Sequence, residues 1–176
     1  MIPAEKYSIR PMLESDLEII LSWRNHPDIR RYMYAQHEIE LEEHTTWYNN
    51  NCNKPGRHML IFEVNNKPAG FASISELLQS TIADWGVYIA PGSAKGTGTE
   101  LAILVLNYAF EKLGLYKVCG QVLGYNIVSV NFHLSLGFLK EGVLRDQYFD
   151  GYRYHDVIHF GLLADEWKIK REKYDR

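Results

Sequence analysis

Two periodicities divide the chain. Runs of about 4–8 residues with alternating or continuous apolar positions, bounded by turn formers, predict strands. Apolar residues at three- and four-residue intervals predict amphipathic helices. "YSIRPM" reads as an opening strand, and "SDLE" after it as a capping box in which Ser15 caps and Glu18 reaches back to the cap's own amide. The helix that follows carries Leu17, Ile20, Leu21 and Arg24 at helical spacing. It ends before Pro27, because proline disfavours a helical residue in front of it. A second helix from Leu41 to Asn51 places Leu41, His44, Trp47 and Tyr48 on one face and stops in the loop "NNNCNKPG".

Further on, "HMLIFEV" and "PAGFASIS" flank "NNK", a hairpin signal, and "ADWGVYIA" is a third strand closed by Pro91-Gly92. Leu101, Leu104, Val105, Tyr108 and Ala109 form the apolar stripe of a long helix. "YKVCGQVLG" is a strand, and "NIVSVNFHLSLG" a helix ended by Gly137. "FLKEGVL" and "HDVIHFGLL" are strands around the turn "FDGYR", and "ADEWKIKREK" closes the chain as a helix. This order predicts an α+β fold: a single domain over 1–176, with a mixed, mostly antiparallel central sheet and helices on both faces.

Composition removes several classes of function. The 176 residues are 46% hydrophobic, enough for a sizeable core, and the net charge of −3 offers no basic field to nucleic acid. Cys52 and Cys119 form no CxxC pair, which suits a reducing cytoplasm, and the seven histidines show no metal-ligand spacing, so no metal is expected. No apolar run approaches the ~20 residues that span a bilayer, and "MIPAEKYSIR" lacks the apolar stretch of a signal peptide. A cytoplasmic protein without a membrane partner is the expectation. A homodimer stays open.

Candidate chemistry begins at "IAPGSAKGTGTEL". A strand ends, glycines follow and a helix opens, so Lys95, Gly96, Thr97, Gly98 and Thr99 would present consecutive free amides at a helix N-terminus. That arrangement binds phosphate oxygens. The loop is neither a Rossmann fingerprint, since Leu101 stands at the third glycine, nor a Walker loop, since Lys95 precedes its glycine. By itself it is equally a strand–helix turn. One strand later comes "GYNIVSVNFHLSLGF", with Asn126, Ser129, His133 and Gly137-Phe138.

With these two motifs together the sequence resembles the GCN5-related N-acetyltransferase superfamily. The resemblance covers nearly the whole chain. It implies an acetyl-CoA-dependent enzyme whose pyrophosphate loop is 95–99. It implies that "WGVYIA" splays from "KVCGQV", that main-chain groups from Val87 to Ile89 pair with the pantetheine arm, and that one amide there polarises the acetyl carbonyl. Asn126 and Ser129 would lie beside the cofactor. His133 stands where many members carry the tyrosine that protonates the leaving thiolate; it would donate that proton, or else pack beside the sulfur while water does so. Ser93 stands where the family has Gln or Arg, so one pyrophosphate contact is lost or supplied by Lys95. Direct transfer needs no covalent intermediate, so no Ser or Cys nucleophile is expected.

The acceptor side falls to "SWRNHPDIRRYMY" and "EEHTTWYN". Their Trp-Arg-Asn-His-Pro, Arg-x-Met-Tyr and His-x-x-Trp patterns resemble the N-acetyltransferases of pseudaminic acid biosynthesis, which serve flagellin glycosylation and act on a UDP-linked 4-amino-4,6-dideoxy-N-acetyl-altrosamine. That resemblance implies a UDP-amino-sugar partner. Arg24 would grip the diphosphate, Met33, Tyr34, Trp47 and Tyr88 would form flat apolar walls, and His44 would contact a phosphate or relay the amine proton. Met33 and Tyr34 serve equally as core packing. Trp23 reads as core, His26 as a helix-end group and Arg31 as a surface charge. The alternatives are a ribosomal-protein N-terminal or polyamine acceptor, or a non-catalytic acyl-CoA-binding module. A polyamine site wants clustered carboxylates, and helical spacing points most of "EIELEE" at solvent.

Overall fold

The computed structural model describes residues 6–77 and 80–174. In chain order its elements are β1 (Tyr7–Pro11), α1 (Leu17–Asn25), α2 (Pro27–Arg30), α3 (Leu41–Asn51), β2 (Arg57–Val64), β3 (Lys67–Glu76), β4 (Ile82–Ile89), α4 (Thr97–Asn107), β5 (Lys117–Leu123), α5 (Ile127–Leu136), β6 (Leu139–Phe149), β7 (Tyr154–Leu163) and α6 (Ala164–Arg171). The strand order is β1-β2-β3-β4-β5-β7-β6. Among the described pairs only β4 with β5 is parallel. The fold is thus α+β with a mixed, mostly antiparallel sheet, as the element order predicts. No helix of the described residues is long and apolar enough to cross a membrane.

Two compact units share the chain: Met1–Glu76 with Gly86–Val105, and Leu77–Trp85 with Leu106–Arg176. In the first, β2 alternates its side chains between faces. Met59 and Ile61 join Leu17, Ile20 and Trp23 of α1 and Phe71 of β3 in one core. On the opposite face Gly70 lets α4 approach: a Cβ there would stand 2.6 Å from Leu101 Cδ1. Helices therefore cover both faces of this part of the sheet. Asn65 and Asn66 turn the β2–β3 hairpin with φ of 51° and 61°, the left-handed pair that a two-residue turn requires.

In the second unit, the parallel ladder of β4 with β5 runs from Ile82↔Lys117 to Asp84↔Cys119 and ends there, although β4 continues to Ile89 and β5 to Leu123. The core of this unit is built on Val118, Phe138, Phe160, Leu162 and Trp167, all at most 1% exposed. Gly137 closes α5 at φ 97° and Gly151 turns the β6–β7 hairpin at φ 101°.

Three local expectations need correction. The first helix is not capped by Ser15. A 3-10 turn, Glu14–Asp16, precedes it, and the Asp16 carboxylate accepts from the Leu13 amide at 2.8 Å. Asp16 wins because Arg10 holds it with two parallel bonds of 2.7 and 2.8 Å, a charge-assisted pair that a serine cannot offer. A short helix, α2, also stands inside the opening stretch. Pro27 starts it with a preset φ, and His26 Nδ1 accepts from the Asp28 amide at 3.3 Å. Finally, β6 runs to Phe149 because two irregularities in its pairing with β7 carry the strand past Leu144.

The Arg10–Asp16 pair supports a prediction. Asp16 is 4% exposed, and the hydrogen bonds from Arg10, then that from Leu13, hold its carboxyl below the ordinary range. Asp16→Asn removes the charge from the bidentate partner of Arg10, which keeps its bond to Glu63, and should cost about 1.5–3 kcal/mol, read from urea unfolding at neutral pH. A depressed carboxyl contributes stability above its unfolded pKa and loses it as pH falls through the folded value. Wild type should therefore lose stability below about pH 4, and the variant should lose less over the same range.

Candidate active site

The predicted phosphate loop is present, with a smaller set of free amides than expected. The Thr97 amide donates to Ala94 O at 3.2 Å and the Thr99 amide to Gly96 O at 3.0 Å. The amides of Lys95, Gly96 and Gly98 donate to no backbone carbonyl among the described residues. Gly96 adopts φ 93°, and nothing lies within 4 Å of where its Cβ would stand. This left-handed residue turns the chain into α4 and leaves open space over the amides, which suits the approach of an anion. Ser93 gives its hydroxyl to Ala90 O at 2.6 Å, so its side chain is committed within the turn.

On the acceptor segment the structure brings four predicted residues together. His44 is 4% exposed and stacks on Trp47 at 5.1 Å. Trp47 meets Phe71 edge-on at 6.0 Å, and Phe71 meets Tyr88 at 5.4 Å. Arg24 lies within electrostatic reach of Tyr88 and His44. Burial lowers the pKa of both Arg24 and His44, and burial raises that of the Tyr88 hydroxyl, which the Arg24 charge opposes. Arg24 Nη1 and His44 Nε2 are buried without a hydrogen-bond partner among the described residues. Met33 is half-buried and Tyr34 is 53% exposed, and the rings that cluster beside His44 are those of Trp47, Phe71 and Tyr88. Sequence reasoning missed Phe71; its signal was the alternation of "PAGFASIS". It also missed Asn25, whose side chain clasps Ile39 through two bonds of 2.8 Å and so fixes the loop between α2 and α3.

Three further expectations on this segment agree with the structure. Trp23 is core at 7% exposure, His26 caps helix ends, and Arg31 is exposed beside Asp28 at 3.3 Å.

In the second unit Asn126 caps α5, its Oδ1 accepting from the Ser129 amide at 3.1 Å, which leaves its Nδ2 for a ligand. His133, 5% exposed, lies within the core, with Phe138 and Phe160 each at 5.0 Å. Asp84, half-buried on β4, has its carboxyl raised by burial and pulled back by His159. It accepts no hydrogen bond among the described residues, where no group of three or more metal-ligating side chains is found either.

Comparison with known proteins decides the family. The model of the Acetyltransferase (GNAT) domain matches residues 7–139. The chain belongs to the GNAT acetyltransferase family. It is an acetyl-CoA-dependent N-acetyltransferase.

Across its length the GNAT chain is 24% identical to spermidine N(1)-acetyltransferase of Escherichia coli K12, over 95% of this chain and 91% of that one. The solved structure of spermidine N-acetyltransferase from Vibrio cholerae, in complex with CoA and spermine, superposes with a TM-score of 0.86 at 25% identity. It covers 93% of this chain and 98% of that one. Similarity to acetyltransferase PseH of Campylobacter jejuni reaches 32% identity but spans only 56% of the chain.

The UDP-amino-sugar expectation, with its place in pseudaminic acid synthesis and flagellin glycosylation, is therefore corrected: the full-length likeness runs to spermidine acetyltransferases. The physical reason lies in the opening stretch. Arg30 and Arg31 are paired within the segment, with Glu38 at 3.6 Å and with Asp28, and Arg24 gives Nη2 to Ala35 O at 2.8 Å while only its buried Nη1 stays without a partner among the described residues. A single buried Nη1 on Arg24 is a weaker diphosphate grip than a free planar fork.

Proposed function

We propose that this enzyme transfers the acetyl group of acetyl-CoA to a primary amine of a polyamine of the spermidine class. The observation that carries the reading is the near-complete likeness to the V. cholerae enzyme whose structure holds CoA and spermine. The free amides of Lys95, Gly96 and Gly98, with Thr97 and Thr99 framing them, take the pyrophosphate, and the Nδ2 of Asn126 together with Ser129 serves the thiol end. Main-chain groups from Val87 to Ile89, past the end of the β5 ladder, take the pantetheine arm and supply an oxyanion donor. Acetyl-CoA supplies the thioester. The neutral amine attacks it directly, and no residue of the chain becomes acylated. His44, Trp47 and Tyr88, with Arg24 behind them, form the apolar acceptor wall along the methylene chain. Free Cys52 and Cys119 suit the reducing cytoplasm in which such an enzyme would work.

A polyamine is a flexible cation, so its recognition needs anionic groups. Asp84 is a half-buried carboxylate that a cation would stabilise, because burial penalises its charge and His159 offsets that penalty only in part. Asp84→Asn should raise the Michaelis constant for spermidine at least tenfold, the order expected for a lost charge-assisted contact of about 1.5–3 kcal/mol, and leave that for acetyl-CoA nearly unchanged. Because the Asp84 carboxyl is raised, spermidine affinity should increase as pH rises through its folded pKa in wild type, and that rise should vanish in Asp84→Asn. The reading itself is tested by mass spectrometry after incubation with acetyl-CoA and spermidine. Monoacetylspermidine is expected. Its absence from a protein that binds acetyl-CoA would remove the polyamine assignment.

A further inference from the structure

The hydrogen bonds of His133 run in one direction. Trp85 Nε1 donates to His133 Nε2 at 3.2 Å. A carbonyl can only accept, so the 2.8 Å contact of His133 Nδ1 with Ser129 O places the ring proton on Nδ1. The Ser129 amide then donates to Asn126 Oδ1. The chain passes from β4 through the imidazole to the cap of α5. Both ring nitrogens are committed, and the only imidazole proton points at a backbone carbonyl. The Trp85, Phe138 and Phe160 rings enclose the imidazole, and none of them ionises in the working pH range. Burial lowers the pKa of His133, opposed only by its bond to Ser129.

Gly120 of β5 makes this packing possible. A Cβ there would stand 2.7 Å from His133 Nε2 and 3.0 Å from Trp85 Nε1, so any larger residue would part the two rings. The indole–imidazole bond thus lies directly against the β5 backbone, one residue beyond the last β4–β5 pair, Asp84↔Cys119. It lies where the parallel ladder stops.

We propose that His133 is a positioning residue, not the proton donor to the thiolate: as a neutral Nδ1–H tautomer it links Trp85 on β4 to the Asn126 cap of α5, and Gly120 provides the space for that link. The leaving thiolate then takes its proton from water, and water takes the proton that the attacking amine loses, so the exchange balances without His133. This assignment rests on the acetyl-CoA chemistry of the family and not on the choice of acceptor amine, so failure with spermidine would leave it standing.

Long-range nitrogen-15 spectra of the wild-type histidine side chains test it without any variant. His133 should show one neutral Nδ1–H tautomer at neutral and alkaline pH. An imidazolium signal growing in that range, or an Nε2–H tautomer, overturns the proposal. Kinetics supply a second arm. Trp85→Phe keeps the imidazole but removes its donor. It should raise the acetyl-CoA Michaelis constant severalfold, as His133→Phe should, and both variants should keep the pH profile of wild type. If His133→Phe instead erases a pH limb with the Michaelis constant unmoved, while Trp85→Phe is silent, His133 is the acid.

Discussion

Gly98→Val is expected to reduce acetyl-CoA affinity by at least a hundredfold while the fold survives. Gly98 sits within the first turn of α4, where valine has a higher helix propensity than glycine, so the substitution does not disfavour the helix. Its amide is one of three in the loop without a backbone acceptor, so it is available to a phosphate oxygen. An isopropyl group beside that amide would block the approach. Loss of two charge-assisted contacts, each of about 1.5–3 kcal/mol, corresponds to roughly 10²–10⁴ in affinity. Calorimetry with acetyl-CoA reads the loss, and circular dichroism reports the fold. Gly96 is the poorer test. Its φ of 93° would add backbone strain to any substitution, and a lost affinity could then reflect a distorted loop.

Trp167→Ala should be the most damaging core change, with a loss of about 3–5 kcal/mol in denaturant unfolding. Trp167 of α6 is 1% exposed, and its Nε1 donates to Asn107 Oδ1 at 2.9 Å. Truncation opens a cavity the size of an indole and leaves that half-buried acceptor without its donor. The same helix is held by an ion pair between Arg171 and Glu111 and by the Ala164 amide on Tyr116 O. Trp167→Phe fills most of the volume but drops the hydrogen bond, so it should recover more than half of the loss. A loss below about 1 kcal/mol for the alanine variant would mean that α6 does not anchor its unit.

Periodicity made most of the architecture readable. The stripe at Leu101, Leu104 and Val105, the Asn65-Asn66 turn and the Gly137 stop each have one local cause, and each is where the pattern puts it. What stayed hidden depends on partners far away in sequence. The Asp16 cap needs Arg10 on the preceding strand, and the clasp of Asn25 on Ile39 crosses a loop. The phosphate loop was legible as a motif, but which of its amides are free follows from the turn that Thr97 and Thr99 close. The acceptor side was least legible. Arginines and aromatic residues in "SWRNHPDIRRYMY" suggested an anionic substrate, yet the arginines satisfy the segment's own carbonyl and carboxylates. A charge in a sequence does not declare whether its partner is a ligand or its own chain.

A competition assay separates polyamine acetylation from acetylation of a protein N-terminus. Wild-type protein with acetyl-CoA is offered spermidine and a peptide with a free N-terminus in the same reaction, and both products are quantified by mass spectrometry as each amine is varied. The account predicts saturable formation of monoacetylspermidine and a kcat/KM for spermidine at least tenfold above that for the peptide. Preferential acetylation of the peptide, or coenzyme A release without any acetylated spermidine, would contradict it.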